Sequence, residues 1–390
     1  MRLQLITAGE SHGPALAVIL EGLPAGLPIT ADEINAELHR RQSGYGAGAR
    51  MKIENDEVKI LSGIMNGKTI GSPIAMMIEN RDHEKWKGKT IPAMTIPRPG
   101  HADLSATLKY GYEDLRPALE RASARETAAR VAAGAVCKTL LKTFDIRVGG
   151  YVRSVGEIEA DLESIPFAER MEKAEISPVR CPDEAASEKI RERIRRAMDE
   201  KETLGGIIEV AALGVPAGLG SHTHWERRLE SKLGAAVLSI QAIKGVEIGS
   251  AFENTRRVGT QAQDGIYLKE DELVRKTHRS GGIEGGISTG EPIVIRAAMK
   301  PIATTLTPQP SVDLFSGKEV LTQYERSDFC PVPRAVPIVE AMTAYVLADA
   351  LMEKLGGDTL EEMKLRYAQI RKPRLSDFIL DGKEHIFWPE

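Results

Sequence analysis

Two short, mostly apolar runs flank a polar turn near the N-terminus. Leu3 to Ala8 reads as a short strand, Gly9-Glu10-Ser11-His12-Gly13-Pro14 as a polar turn, and Ala15 to Glu21 as a returning strand. The period then changes. Thr30 begins a helix with Glu33 three residues on, the spacing of a capping box; it turns Ile34 and Leu38 inward and ends at Arg40-Arg41-Gln42. Val58 to Leu61 and Pro73 to Ile78 read as strands, and residues 80–97 as a polar connection containing Trp86. A small-residue helix runs from about Ser123 to Phe144, followed by a strand from Ile146 to Val155. Residues 156–182 have a mixed pattern that predicts no element. Asp183 to Lys201 is a charged, exposed helix. Trp225 to Ile243 reads as a helix leading into a strand through Val246 and Ile248, Pro292 to Met299 as a strand, and Ala335 to Leu355 as a long apolar helix. Residues 305–333 read as irregular loop, and the chain from Thr359 as a charged amphipathic helix and a tail.

The pattern repeats. Gly22-Leu23-Pro24-Ala25-Gly26-Leu27 returns as Gly214-Val215-Pro216-Ala217-Gly218-Leu219, and Thr69-Ile70-Gly71-Ser72-Pro73-Ile74 as Ser288-Thr289-Gly290-Glu291-Pro292-Ile293. Two echoes in the same order favour a duplicated unit. The expected fold is α/β (α+β): two related halves, roughly residues 1–200 and 201–355, packed as one body, with a C-terminal helix and tail over 356–390.

Composition narrows the function. The 390 residues carry a formal net charge of −4, so no global basic field exists for nucleic acid or membrane. The three cysteines, Cys137, Cys181 and Cys330, are far apart and in no ligand spacing, which suggests free thiols in a reducing compartment. No basic flank with an apolar run opens the chain, so a cytoplasmic protein is expected. His222 and His224 lack a nearby third ligand and read as turn residues; no metal is expected.

Candidate chemistry is local. Arg98-Pro99-Gly100-His101-Ala102-Asp103 sets an imidazole between a cation and a carboxylate, either as a solvated surface turn or as a tuned acid–base group. Arg121 and Arg125 are four apart, so one helix face would carry both, with Glu120 or Glu126 or a phosphorylated ligand between them. Glycine-rich loops at 43–50 and 279–286 can lie against an anion or a large ligand, or merely connect elements. Lys300 to Thr305 offers a cation and two hydroxyls. No Walker lysine motif, dinucleotide fingerprint or cysteine nucleophile is present. The residues alone reach anion chemistry with imidazole help.

Gly9-Glu10-Ser11-His12-Gly13, Arg98 to Asp103, Ser123-Ala124-Arg125-Glu126-Thr127, Gln241 to Glu247, Gly281 to Gly286 and Met299-Lys300-Pro301 together resemble the chorismate synthase family, from about Leu3 to Leu355. The resemblance implies a β-α-β-α sandwich with internal pseudo-symmetry, assembled as a homotetramer. It implies anti-1,4-elimination of phosphate from 5-enolpyruvylshikimate 3-phosphate, the last step of the shikimate pathway, with reduced FMN (FMNH2) as cofactor. By the same resemblance His12 is the acid beside the leaving phosphate, His101 the acid that protonates reduced flavin, and Asp328 a proton acceptor near flavin N5. Arg41, Arg50, Arg98, Arg125 and Arg326 match substrate-binding positions. Arg121, Ala122, Ser123, Gln241, Ala242, Gly285, Lys300, Pro301, Ile302, Ala303, Thr304 and Arg326 match flavin contacts. With no dinucleotide fingerprint, reduced flavin is expected from an external reductase; were NADPH bound directly, Arg41 and Ala47 are the matching positions. The glycine loop departs from the family pattern: Ala47 stands where an arginine is usual, and Ala49 fills a position often basic, leaving Arg40 or Arg50 to compensate. Another FMN-dependent enzyme acting on a phosphorylated anion, or a substrate-binding variant weakened by Ala47, remains the alternative.

Overall fold

The computed structural model describes residues 2–46, 56–323 and 328–388. Gln4–Ala8 pairs antiparallel with Ala15–Glu21, which pairs with Ile74–Glu79, which pairs with Val58–Ile60. The second sheet has Arg147–Val155, Gly206–Leu213, Ile293–Met299 and Ile243–Ile248 in the same spatial sequence, with the short Ile158–Glu159 at its edge. Leu16, Val18 and Leu20 are buried while Ala17, Ile19 and Glu21 face outward, as the period-2 pattern requires.

The sequence echoes are hydrogen-bonded to each other within each sheet's unit. In the first, Leu27 N donates to Thr69 Oγ1 (2.9 Å), and that hydroxyl donates to Pro24 O (2.6 Å). In the second, Leu219 N donates to Ser288 Oγ (2.8 Å), which donates to Pro216 O (2.6 Å). Gly26 and Gly218 both adopt left-handed backbone, at φ 92° and 93°. Arg147–Val155 already sits in the second sheet. We therefore propose a boundary between related units just after Lys142, earlier than residue 200.

Between the sheets lie Ala31–Gln42, Thr127–Lys142, Leu229–Leu238 and Val332–Leu355. The outer face of Arg147–Val155 is covered by Phe167–Ile176: a Cβ on Gly149 would meet Met171 of that helix, whereas one on Gly150 would meet Val336 of the long inner helix. The result is a sheet–helix–sheet–helix sandwich. The expected capping box is present at Thr30 and Glu33. Small residues in Thr127–Lys142 admit close approach of the long helix; a Cβ on Gly134 would fall 2.3 Å from that of Ala341. Among the described residues Val332–Leu355 is the one helix long and apolar enough to cross a membrane, and 94% of its most apolar window is buried inside the protein. Cys137, Cys181 and Cys330 are buried free thiols.

One carboxylate sits at the centre of this helical layer. Glu340 is fully buried and accepts from Arg40 Nη1 (2.8 Å), Lys138 Nζ and Gly150 N (2.8 Å). Arg40 also pairs with Glu37 and Glu175. Burial pushes the Glu340 carboxyl up, but Lys138 and Arg40 outweigh it and hold it at about 2. Arg40 is thus engaged by three carboxylates, Glu340, Glu37 and Glu175.

Three expectations needed revision. Residues 305–333 are not simply irregular: Pro310–Asp313 and Lys318–Leu321 form a hairpin. Helices Asp103–Tyr110 and Arg116–Arg121 lie where no helix was expected. The helix expected over 225–243 is split, with a 3-10 turn at Trp225–Arg227, an extended Arg228 and an α-helix at Leu229–Leu238. Ser239 caps that helix, and Ala242, at φ 66°, precedes the strand Ile243–Ile248.

Candidate active site

His12 lies in the turn between the first two strands. Gly9 opens that turn at φ 111°, where a Cβ would strike Ala15 O at 2.5 Å. Glu120 holds the imidazole: one carboxylate oxygen accepts from His12 N and the other contacts His12 Nδ1, each at 2.7 Å. A carboxylate only accepts, so Nδ1 carries the hydrogen of that bond and Nε2 is left for chemistry. Burial pushes Glu120 up; the side-chain and backbone hydrogen bonds from His12 outweigh it, so its carboxyl sits below the ordinary range. Trp86 lies against the ring, centroids 4.7 Å apart, and His83 Nδ1 donates to His12 O (2.9 Å).

His101 repeats the arrangement. Its Nδ1 is 2.6 Å from Asp103 Oδ1, and Arg98 grips the same fully buried carboxylate through Nε (2.8 Å) and Nη2 (3.0 Å). Burial pushes Asp103 up, but the hydrogen bonds from His101 and Arg98 prevail and hold it far below the usual carboxylate range. Gly100, at φ 76°, shapes the turn, and its carbonyl accepts from Lys300 Nζ (2.6 Å). Ser311, in the hairpin, donates to Pro97 O (2.6 Å). The segment expected to be loose thus braces the His101 turn.

The arginines divide. Arg41 and Arg125, both buried, converge on Asp56, Arg125 Nη1 at 2.6 Å and Arg41 Nη1 at 3.4 Å. Arg98 belongs to Asp103 and also reaches Thr304 Oγ1 (3.3 Å). Arg121 is exposed and donates to Thr7 O (3.3 Å). Arg121 and Arg125 do not share a helix face: the first ends a helix, and the chain breaks at Ser123, whose extended backbone starts a 3-10 turn and whose Oγ accepts from Arg125 N. Glu126 pairs with Arg130 rather than lying between them. Asp328 is paired with Arg334, which also donates to Arg41 O (3.3 Å). Ala47, Ala49, Arg50 and Arg326 lie outside the described residues.

A chain of contacts joins the two histidine turns. Ser123 Oγ meets Ser11 Oγ at 3.2 Å beside His12. Glu126 N donates to Ser123 O, and Gln241 Nε2 donates to the Glu126 carboxylate (3.3 Å). Ala242 O accepts from Lys300 N (3.0 Å), and Lys300 reaches the His101 turn. Ala122 caps the helix that ends at Arg121. Ala303 lies near Gly100, and Ile302 O accepts from Thr203 (3.0 Å), while Pro301 is exposed. Gly285 is in a separate glycine turn, at φ 60°, with open space where a Cβ would lie. Two cavities of about 780 and 540 Å³ are lined by none of these residues. Among the described residues no group of three or more His, Cys, Asp or Glu side chains gathers to hold a metal.

Sequence reasoning missed Asp56 and Asn80, and gave Glu120 a different partner. Glu120 is 108 positions from His12 and Asp56 is 69 from Arg125, so no local spacing signals these contacts.

Comparison with known proteins fits this geometry. A model of the chorismate synthase family matches residues 3–352. The chorismate synthase of Symbiobacterium thermophilum is 52% identical over 381 residues, covering 92% of this chain and 96% of its own. That of Aquifex aeolicus is 52% identical over 383 residues, covering 94% and 96%. A crystal structure of a chorismate synthase superimposes with a TM-score of 0.78 at 45% identity, covering 95% of this chain and 97% of the other. With a match of this extent over nearly its whole length, the chain belongs to the chorismate synthase family of lyases.

Proposed function

We propose that the chain eliminates phosphate from 5-enolpyruvylshikimate 3-phosphate to give chorismate, with reduced FMN at the surface between the two histidine turns. The observation that carries this reading is the pair of imidazoles, each with Nδ1 tied to a carboxylate and Nε2 left to hold a proton. A substrate with two carboxylates and a phosphate needs fixed cations, and the departing phosphate gains negative charge. Arg41, Arg98 and Arg125, already held in place by Asp56 and Asp103, stabilise that charge without reorganising. His12 delivers its proton to the leaving phosphate. Arg50 and Arg326 complete the anion contacts in this reading, and Asp328 takes a proton.

The residues present fit a flavin. Gln241 Oε1 is buried with no hydrogen-bond partner, so a donor-bearing ligand edge would satisfy it. Ser123, Gln241, Ala242 and the Lys300–Thr304 segment would hold the group, and His101 would keep a proton at its edge. When bound, reduced flavin would offer the substrate a reversible source of electron density, with no net redox change. An external reductase supplies the reduced cofactor in this reading. Buried free thiols fit a cytoplasmic setting.

Because substrate and flavin share the Ser11–Ser123 and Lys300–Gly100 contacts, each orders segments the other needs. Calorimetry should find FMN bound more tightly with substrate present, by ~1–3 kcal/mol. Equal affinity with and without substrate contradicts a shared site.

A homotetramer is part of the proposal. The outer face of the first sheet exposes Ile6 (58%) beside its cross-strand partner Ile19 (41%), which supports association through this face. Replacing both by lysine should lower the sedimenting mass; an unchanged mass would mean that the contact lies elsewhere.

A further inference from the structure

Asn80 follows the strand Ile74–Glu79 and is 3% exposed. Every polar atom of its side chain is used. Nδ2 donates to Glu10 O (3.0 Å) and to Gly13 O (2.8 Å), the carbonyls on either side of Ser11-His12. Oδ1 accepts from Arg125 Nε (2.8 Å). Its backbone N donates to Pro14 O (3.0 Å), at the end of the same turn. The amide orientation is fixed by these partners, because two carbonyls require donors and a guanidinium requires an acceptor.

We infer that Asn80 is a positioning residue that sets His12 and Arg125 relative to each other. The inference rests on the roles proposed above for those two residues. Without the Asn80 amide, the His12 turn keeps Glu120, His83 and the backbone bond from residue 80 to Pro14 O but loses both donors to Glu10 O and Gly13 O, while Arg125 keeps Asp56 and Glu79 O but loses the contact that orients its Nε edge. Only a primary amide combines two donors with an acceptor here. Aspartate offers the guanidinium an oxygen and faces the two carbonyls with negative charge. Alanine offers neither partner anything.

The two substitutions therefore separate the two arms. Asn80→Asp should lower kcat about 10²-fold, the cost of a misplacement on the order of 1 Å, and leave the substrate KM within about twofold. Asn80→Ala should lower kcat similarly and also raise KM about tenfold, as Arg125 loses a charged hydrogen bond. The deciding measurement is a double-mutant cycle with His12→Ala, with thermal unfolding followed for each variant. If Asn80 acts through His12, Asn80→Asp changes kcat less than about twofold in the His12→Ala background. An equal loss from Asn80→Asp in both backgrounds, or a fall in kcat of Asn80→Asp matched by a parallel rise in its KM and early unfolding, overturns the inference. A His12→Ala chain with native turnover marks failure of the catalytic reading of His12; a loss from Asn80→Asp in that background then overturns the link to His12 as well.

Discussion

His101→Ala lowers turnover by about 10²–10⁴, the usual range for one positioned acid–base group, and leaves FMN affinity largely intact. The size follows from the geometry. Asp103 is buried and bonded to the half-buried Arg98 whether or not the imidazole is present, so truncation removes a proton-holding group without collapsing its surroundings. Steady-state rates from pH 6 to 8 give the check, and unchanged turnover across that range removes His101 from the mechanism.

Glu340→Ala should cost about 3–5 kcal/mol of stability, the penalty of leaving a buried ion partner uncompensated. Arg40 and Lys138 both face that carboxylate and would keep only Glu37 and, for Arg40, the partly exposed Glu175. Equilibrium urea unfolding measures the loss; Glu340→Gln, which preserves shape, serves if the alanine variant does not fold. The pH dependence has a definite sign. The folded carboxyl is lowered from 4.5 to about 2, so its stabilisation is fully present above about 4.5 and is lost as the pH falls through about 2. The glutamine variant should show a flatter acid limb in that window. Native stability at neutral pH in either variant would show that the network adds nothing net.

Elements governed by local rules were legible in the sequence. The strand Ala15–Glu21 falls on the apolar run that predicted it, and the helix after Thr30 matches its capping box. The duplicated turns were legible because a left-handed glycine and a hydroxyl that bridges two chain segments need particular residues at fixed spacing. Elements set by distant partners were not. Helix Asp103–Tyr110 begins within the His101 motif, where Asp103 is occupied with Arg98 and His101 and gives no capping signature. The hairpin at 310–321 is exposed along much of its length, so it carries no strong apolar period. Asp103 was legible beside His101 because the two are neighbours in the chain, but Asp56, Glu120 and Asn80 were not legible in these roles. Asp56 and Asn80 reach Arg125 across 69 and 45 positions, and Glu120 reaches His12 across 108; these roles exist only once the first sheet and Thr127–Lys142 have packed.

The central claim is an elimination that needs reduced flavin but does not consume it. An anaerobic assay with reduced FMN and 5-enolpyruvylshikimate 3-phosphate tests it directly, with chorismate, phosphate and flavin absorbance followed together. The account predicts chorismate and phosphate in equal amounts over many turnovers, with no net flavin oxidation. Flavin oxidised in step with product would instead indicate net hydride transfer, and no turnover would indicate a chain that only binds anions; either result contradicts it.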